Sequence, residues 1–169
     1  MKTWFTADTH FGHNNIIKYS ERPFKSLKIM NDTLIRNWNN RVDKDDLVVF
    51  LGDFCFKELA DINFKTYLNH LNGHVCFIRG NHDNNNSLNT PIHSAIINIG
   101  KTEAYCVHDP VEYSSSYPIN LVGHVHQYWK LKKIYHSYII NVGVDVWKYS
   151  PVDINEILAV IEEYNKKSW

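Results

Sequence analysis

Five times in 169 residues a short apolar run stops at residues that ligate metals or carry protons. "TWFTADTH" runs into Asp8 and His10, and "LVVFLGDF" runs into Asp53. "VCFIRGNHD" ends at Asn81, His82 and Asp83, "AYCVHD" at His108, and "NLVGHVH" at His124 and His126. Runs so brief and so rich in Val, Ile, Phe and Tyr read as buried strands. In an open α/β sheet the carboxyl ends of the strands gather along one edge, where ligands bind. Five such ends therefore predict one shared site, held more rigidly on strand termini than loops would hold it. Gly52, Gly80 and Gly123 precede the polar residues in three of the five. There the backbone is expected to turn sharply or pass close to a neighbour.

The remaining pattern supplies the frame. Strands are expected at 4–6, 47–51, 75–78, 95–99, 104–107, 120–122 and 138–142. Leu27, Met30, Leu34 and Trp38 predict a helix over 27–41 capped by Ser26, and Leu59, Ile62, Leu68 and Leu71 predict another over 58–71. In "SPVDINEILAVIEEYNKK", Asp153 is an N-cap and Glu156 completes a capping box, with Ile154, Ile157, Leu158 and Ile161 as the buried stripe. Segments 82–90 and 109–118 read as loops, and "KKSW" as a frayed end with Trp169 packing back. Strands and helices alternate early and strands dominate later, so the class is α/β tending to α+β, in one domain spanning 1–169.

Charge narrows the partners. Lys plus Arg number 18 and Asp plus Glu number 18, so the net charge is zero. Such a chain has no global electrostatic reason to coat nucleic acid or an anionic membrane. Its one basic run, "KLKK" at 130–133, reads as a solvated strand edge or turn. No stretch resembles a secretion leader or a membrane span, and no membrane partner is expected. Cys55, Cys76 and Cys106 sit in apolar stretches without metal-like spacing, which predicts reduced, buried thiols and a cytoplasmic setting.

The ligand types point to metal. Carboxylate, imidazole and amide oxygen without thiolate suit a first-row divalent ion better than Mg or Ca. Asp8, His10, Asp53, Asn81, His108, His124 and His126 are too many for one tetrahedral ion and about right for two. Two divalent ions bring four positive charges and the two aspartates return two. The surplus suits an incoming phosphate, and a pair of ions is a known clamp for displacement at phosphorus.

The order D-x-H, G-D, G-N-H-D, H, G-H-x-H resembles the calcineurin-like metallophosphoesterase family, from Asp8 to His126. The resemblance implies a four-layer α-β-β-α sandwich of two mixed β-sheets flanked by helices. It implies that Asp8, His10 and His126 hold a first ion, Asn81, His108 and His124 a second, and that Asp53 bridges. His82 would face the substrate as the acid that protonates the leaving alkoxide, with Asp83 holding its imidazole. A hydroxide shared by two transition-metal ions (manganese foremost, with Fe, Zn, Ni or Co as alternatives) would be the nucleophile of a phosphoesterase. With 169 residues there is little room for a cap domain. Small, accessible phosphate esters, phosphodiesters above all, are therefore the expected substrates. Two rivals stand beside this reading. A nuclease or cyclic-nucleotide phosphodiesterase would use the same site, with nucleic acid entering only as a short oligonucleotide or a strand end. A non-catalytic protein-binding scaffold would have lost ligands, whereas here every position is filled.

Some residues fall outside the pattern. In "VHDP", Asp109 and Pro110 stand where many family members have glycine, a change expected on the substrate side. His13 and Asn14 follow the first ligands and suit either a substrate phosphate or loop support. Arg79 reads as an exposed salt-bridge residue and Cys55 as core. His70, His74, His93 and His136 read as ordinary surface histidines.

Overall fold

The computed structural model describes residues 1–56, 64–83, 88, 90–100 and 102–167. The first sheet contains β1 (Thr3–Thr6), β2 (Leu47–Leu51), β3 (His74–Ile78) and β9 (Val152–Asp153) in the order β3-β2-β1-β9. Strands β1, β2 and β3 are parallel and β9 runs antiparallel to β1. The second sheet contains β4 (Ser94–Ile99), β5 (Thr102–Val107), β6 (Ile119–Val122), β7 (Leu131–Ile134) and β8 (Ser137–Asn141) in the order β4-β5-β6-β8-β7. Its three central strands are parallel and both edges are antiparallel.

Side-chain alternation along each strand decides what packs where. Phe5, Val49, Leu51 and Ile78 of the first sheet meet Ala104, Cys106, Leu121 and Ile140 of the second in one core. The C-terminal helix α4 (Ile154–Lys167) adds Ile157 and Ile161 to it. Trp4, Val48 and Phe50 point the other way, against Ile16 of α1 (Ile16–Tyr19) and Met30, Leu34 and Trp38 of α2 (Leu27–Asn39). Ser26 caps α2 as expected, its Oγ accepting from the Ile29 amide at 3.3 Å. The capping box also forms. Glu156 donates its amide to Asp153 Oδ1 at 3.0 Å and accepts the Asp153 amide at 3.1 Å.

The two mixed sheets, with helices packed against them, are as expected. The outer face of the second sheet carries Val107, Val122 and Ile139, with Tyr105, Tyr113, Trp129 and Ile134 packed against them. The strand expected at 95–99 is an edge strand with Ile96 half exposed, and Leu158 lies on the solvent side of α4. "KLKK" contributes edge strand β7. Of the helix expected at 58–71, Phe64–Leu68 forms α3. Leu59, Ile62, part of the loop at 82–90 and Trp169 lie outside the described residues. Both β9 and α1 escape sequence reading, because two to four residues display no period.

Candidate metal centre

The site is built where β1 and β2 run out. Their pairing continues past the strands: the amides of Asp8, His10 and Phe11 donate to the carbonyls of Gly52, Asp53 and Phe54 at 3.0, 3.1 and 2.9 Å. Thr9 Oγ1 adds a bond to the Phe54 carbonyl at 2.7 Å. The third loop locks on through Asp83, whose carboxylate accepts the amides of Gly80, Asp53 and Phe54 at 2.7, 3.0 and 3.1 Å. This packing requires glycine. A side chain at Gly52, with φ at 90°, would strike His108 Nδ1 and the Gly80 main chain, and one at Gly80 would strike the Asp53 carboxylate.

All seven expected ligands converge. Asp8, His10 and His126 place one donor atom each within 4.8 Å of one another. Asn81 Oδ1 lies 3.0 Å from His108 Nε2 and 2.9 Å from His124 Nδ1, so the second expected trio also meets at a point. Asp53 stands between the trios, its Oδ2 3.6 Å from His10 Nε2 and 3.4 Å from His108 Nε2. The trios adjoin, since donor atoms of Asp8, Asp53 and His108 also lie within 4.8 Å of one another. His10 Nε2 is buried without a hydrogen-bond partner, an orphaned lone pair or proton in a cluster of other donors. Leaving a buried polar atom unpaired is unfavourable, and a cation coordinated there would satisfy it. The donor set therefore fits divalent metal.

Strain and charge mark the same residues. Asp8, His10, Asp53, His124 and His126 all adopt left-handed backbone, with φ between 45° and 70°. That region costs a non-glycine residue about 1–2 kcal/mol and collects at functional sites. Burial pushes Asp8 up to about 6 against the pull of His108 and His126, and pushes His10 well below its ordinary range. Burial also acts upward on Asp53, yet its contact with His108 and the nearby imidazoles hold it below the usual carboxylate range. The converse holds for His108: burial opposes its charge, but Asp53 and Asp8 raise it to about 9. A proton on His108 thus balances the buried carboxylates where a metal ion would otherwise do so.

His82 is exposed, with its amide donating to Asp53 Oδ1 at 2.9 Å and its ring 5.6 Å from that of His10. It lines a cavity of about 260 Å³ together with His10, His13, His126, Tyr19 and Tyr128. The Asp83 bonds fasten together the two loops that carry Asp53 and Asn81. His13 stacks on Phe56 at 4.5 Å, and burial lowers its pKa. Arg79 makes no ion pair among the described residues and approaches His93 at 3.4 Å instead. Asp109 accepts the Val111 amide at 2.9 Å and caps a 3₁₀ turn at Pro110–Glu112. Cys55 is buried, as expected.

Two residues of the site escape sequence reading. Asp145, in the 3₁₀ turn Val144–Val146, lies 3.1 Å from His126 Nδ1. Arg22 bonds Asp145 through Nε at 2.8 Å and Nη2 at 2.9 Å. Asp145 was within reach of the sequence: "YIINVGVD" is a sixth apolar run ending in glycine and aspartate. Arg22, in "SERPF", carries no such signal.

Residues 1–151 match the Calcineurin-like phosphoesterase superfamily domain. A Methanocaldococcus jannaschii chain, "Uncharacterized protein MJ1445", is 37% identical over 172 residues, covering 96% of this chain and 92% of its own. The chain belongs to the calcineurin-like phosphoesterase superfamily. A second relative, the "Gene 66 protein" of Mycobacterium phage L5, is 30% identical over 95 residues and 56% of this chain. Among solved structures, the Aquifex aeolicus protein AQ665 superposes with a TM-score of 0.74 at 21% identity, covering 94% of this chain and 98% of that one. That likeness shows a shared fold. No helix among the described residues is long and apolar enough to cross a membrane.

Proposed function

We propose that this chain hydrolyses phosphate esters, phosphodiesters in preference to monoesters, at a centre for two divalent transition-metal ions, manganese foremost. One observation carries the reading: the Asp53 carboxylate stands within 3.6 Å of His10 in one trio and 3.4 Å of His108 in the other. Asp8, His10 and His126 would hold one ion and Asn81, His108 and His124 the other, with Asp53 common to both. When bound, such ions supply Lewis-acid polarisation of phosphoryl oxygens and acidify water toward neutral pH.

The chain's own residues supply the rest. His82 lines the open cavity with His10 and His126, and its protonated ring would hand a proton to the leaving alkoxide. Its main chain is anchored on Asp53, so ligand and acid keep a fixed separation. Asn81 and His82 are both exposed, an openness that suits a diester with a substituent on either side. Within the same chemistry, Tyr19 and Tyr128 favour a nucleotide diester. They line this cavity 68% and 78% exposed, and base–aromatic stacking contributes about 1–3 kcal/mol per base.

The deciding test compares bis-p-nitrophenyl phosphate with p-nitrophenyl phosphate on chelator-stripped protein, with and without added Mn²⁺. Mn-dependent cleavage, faster on the diester, is the expected result. Preference for the monoester would keep the centre and overturn the substrate. No turnover and no bound metal would return the scaffold.

A further inference from the structure

We propose that Arg22 and Asp145 form a buried positioning pair that selects the metal-ready tautomer of His126 and fixes Asp8 beside it. The pair thereby governs the ion position of Asp8, His10 and His126 and not the other. The inference rests on the metal-centre reading above.

Both side chains are almost wholly buried, Arg22 at 0% and Asp145 at 1% exposure. Every N–H of the guanidinium is engaged. Nε and Nη2 grip Asp145, Nη2 also reaches the Asp8 carbonyl at 2.6 Å, and Nη1 reaches the Thr9 carbonyl at 3.0 Å and Met30 Sδ at 3.4 Å. Asp8 and Thr9 belong to the segment between β1 and His10, so one planar fork ties the first ligand loop to the turn after β8. Only arginine offers that geometry.

The consequence for His126 is chemical. A neutral imidazole carries one N–H, and the partner of one nitrogen decides which nitrogen is left to ligate. With Asp145 Oδ2 at 3.1 Å, the proton resides on Nδ1, and Nε2 presents its lone pair. Carboxylates placed this way behind histidine ligands orient the ring and raise its basicity, and losing one weakens metal binding about 10–100-fold. Asp145 brings a negative charge close to the centre, and Arg22 cancels it, so the net charge of the centre is unchanged. Asn141 supports the same loop by donating to the carbonyls of His126 and Trp129 at 2.8 and 2.9 Å. In the other trio, His108 Nδ1 meets a backbone carbonyl instead, that of Leu51 at 2.6 Å.

The test uses the full chain and variants Asp145→Asn and Arg22→Lys. Three readings are taken: the His126 tautomer by ¹⁵N NMR on metal-free protein at alkaline pH, Mn²⁺ stoichiometry against a competing chelator, and the Mn²⁺ EPR spectrum. Wild type should show Nδ1–H and two ions with a coupled spectrum. Asp145→Asn should mix the tautomers, weaken one ion about 10–100-fold and leave the single-ion spectrum of the other. Arg22→Lys should weaken the same ion, and it carries the test alone where Asp145→Asn does not fold. Two ions at wild-type affinity in the folded variants would overturn the pairing while leaving the centre intact. A wild type that binds no ion would remove the metal reading and this inference together.

Discussion

At the scale of single residues, the ligands are defined as much by backbone as by side chain. Five of the seven candidates hold left-handed φ, a conformation that Asp, Asn and His tolerate better than β-branched or bulky residues. Asp53 should matter most, because its carboxylate lies between both trios. Asp53→Ala should bind neither ion, by elemental analysis after dialysis, and a variant retaining two would refute the bridging role. His82 makes the opposite case. His82→Ala should keep both ions yet lose about 10²–10⁴-fold in turnover of esters with poor leaving groups. Wild-type turnover there would take His82 out of the chemistry. Asp46 isolates a purely structural carboxylate. It accepts from the Lys2 amide, Trp4 Nε1 and the Asp43 amide at 2.7, 2.9 and 3.1 Å, which lower its pKa to about 2. A folded value below the unfolded one means stability present above about pH 4 and lost as pH falls toward 2. Asp46→Asn should therefore lower the urea midpoint at pH 7 and flatten its decline between pH 4 and pH 2.

At the scale of elements, legibility followed length and period. The helices α2 and α4 announced themselves through a spaced apolar stripe and a cap, and both caps formed. Strands β1, β2, β5 and β6 could be read because each is a dense apolar run closed by polar residues. What escaped was short or depended on partners elsewhere in the chain. Two residues at β9 have no pattern of their own; they pair because Val152 meets Phe5 across the sheet. Whether the run at 95–99 would be central or peripheral depended on what hydrogen-bonds beyond it, which no local pattern encodes. The same holds in the site, where Arg22 reaches Asp145 across 123 positions. The cap of α4 is testable at this scale, since Glu156 both accepts the Asp153 amide and pairs with Arg41 at 2.5 Å. The ion pair is about one-third exposed and adds little. Glu156→Ala should cost about 0.3–1.5 kcal/mol in urea unfolding and leave metal content unchanged.

At the scale of the molecule, the proposed centre, with two divalent ions bound, would be positively biased on a neutral chain, which separates attraction of one phosphate from attraction of a polyanion. The lysines of the basic run are spent on aromatic faces: Lys130 lies 3.9 Å over Trp147, Lys132 4.8 Å over Trp129 and Lys133 5.0 Å over Tyr138. They pack on the second sheet and its neighbouring turn. A protein that grips a duplex through six to ten phosphates loses about 10³–10⁵-fold in affinity between 50 and 200 mM salt. This chain should lose less than about tenfold over that range on a dinucleotide or diester substrate, since the charges that meet the phosphate lie within the centre, where screening is weak. Rates at 50, 100 and 200 mM KCl, with metal held saturating, measure it. A nearly flat profile fits a small-ester enzyme, and a slope of several decades on a longer oligonucleotide would show that a backbone-binding surface exists after all.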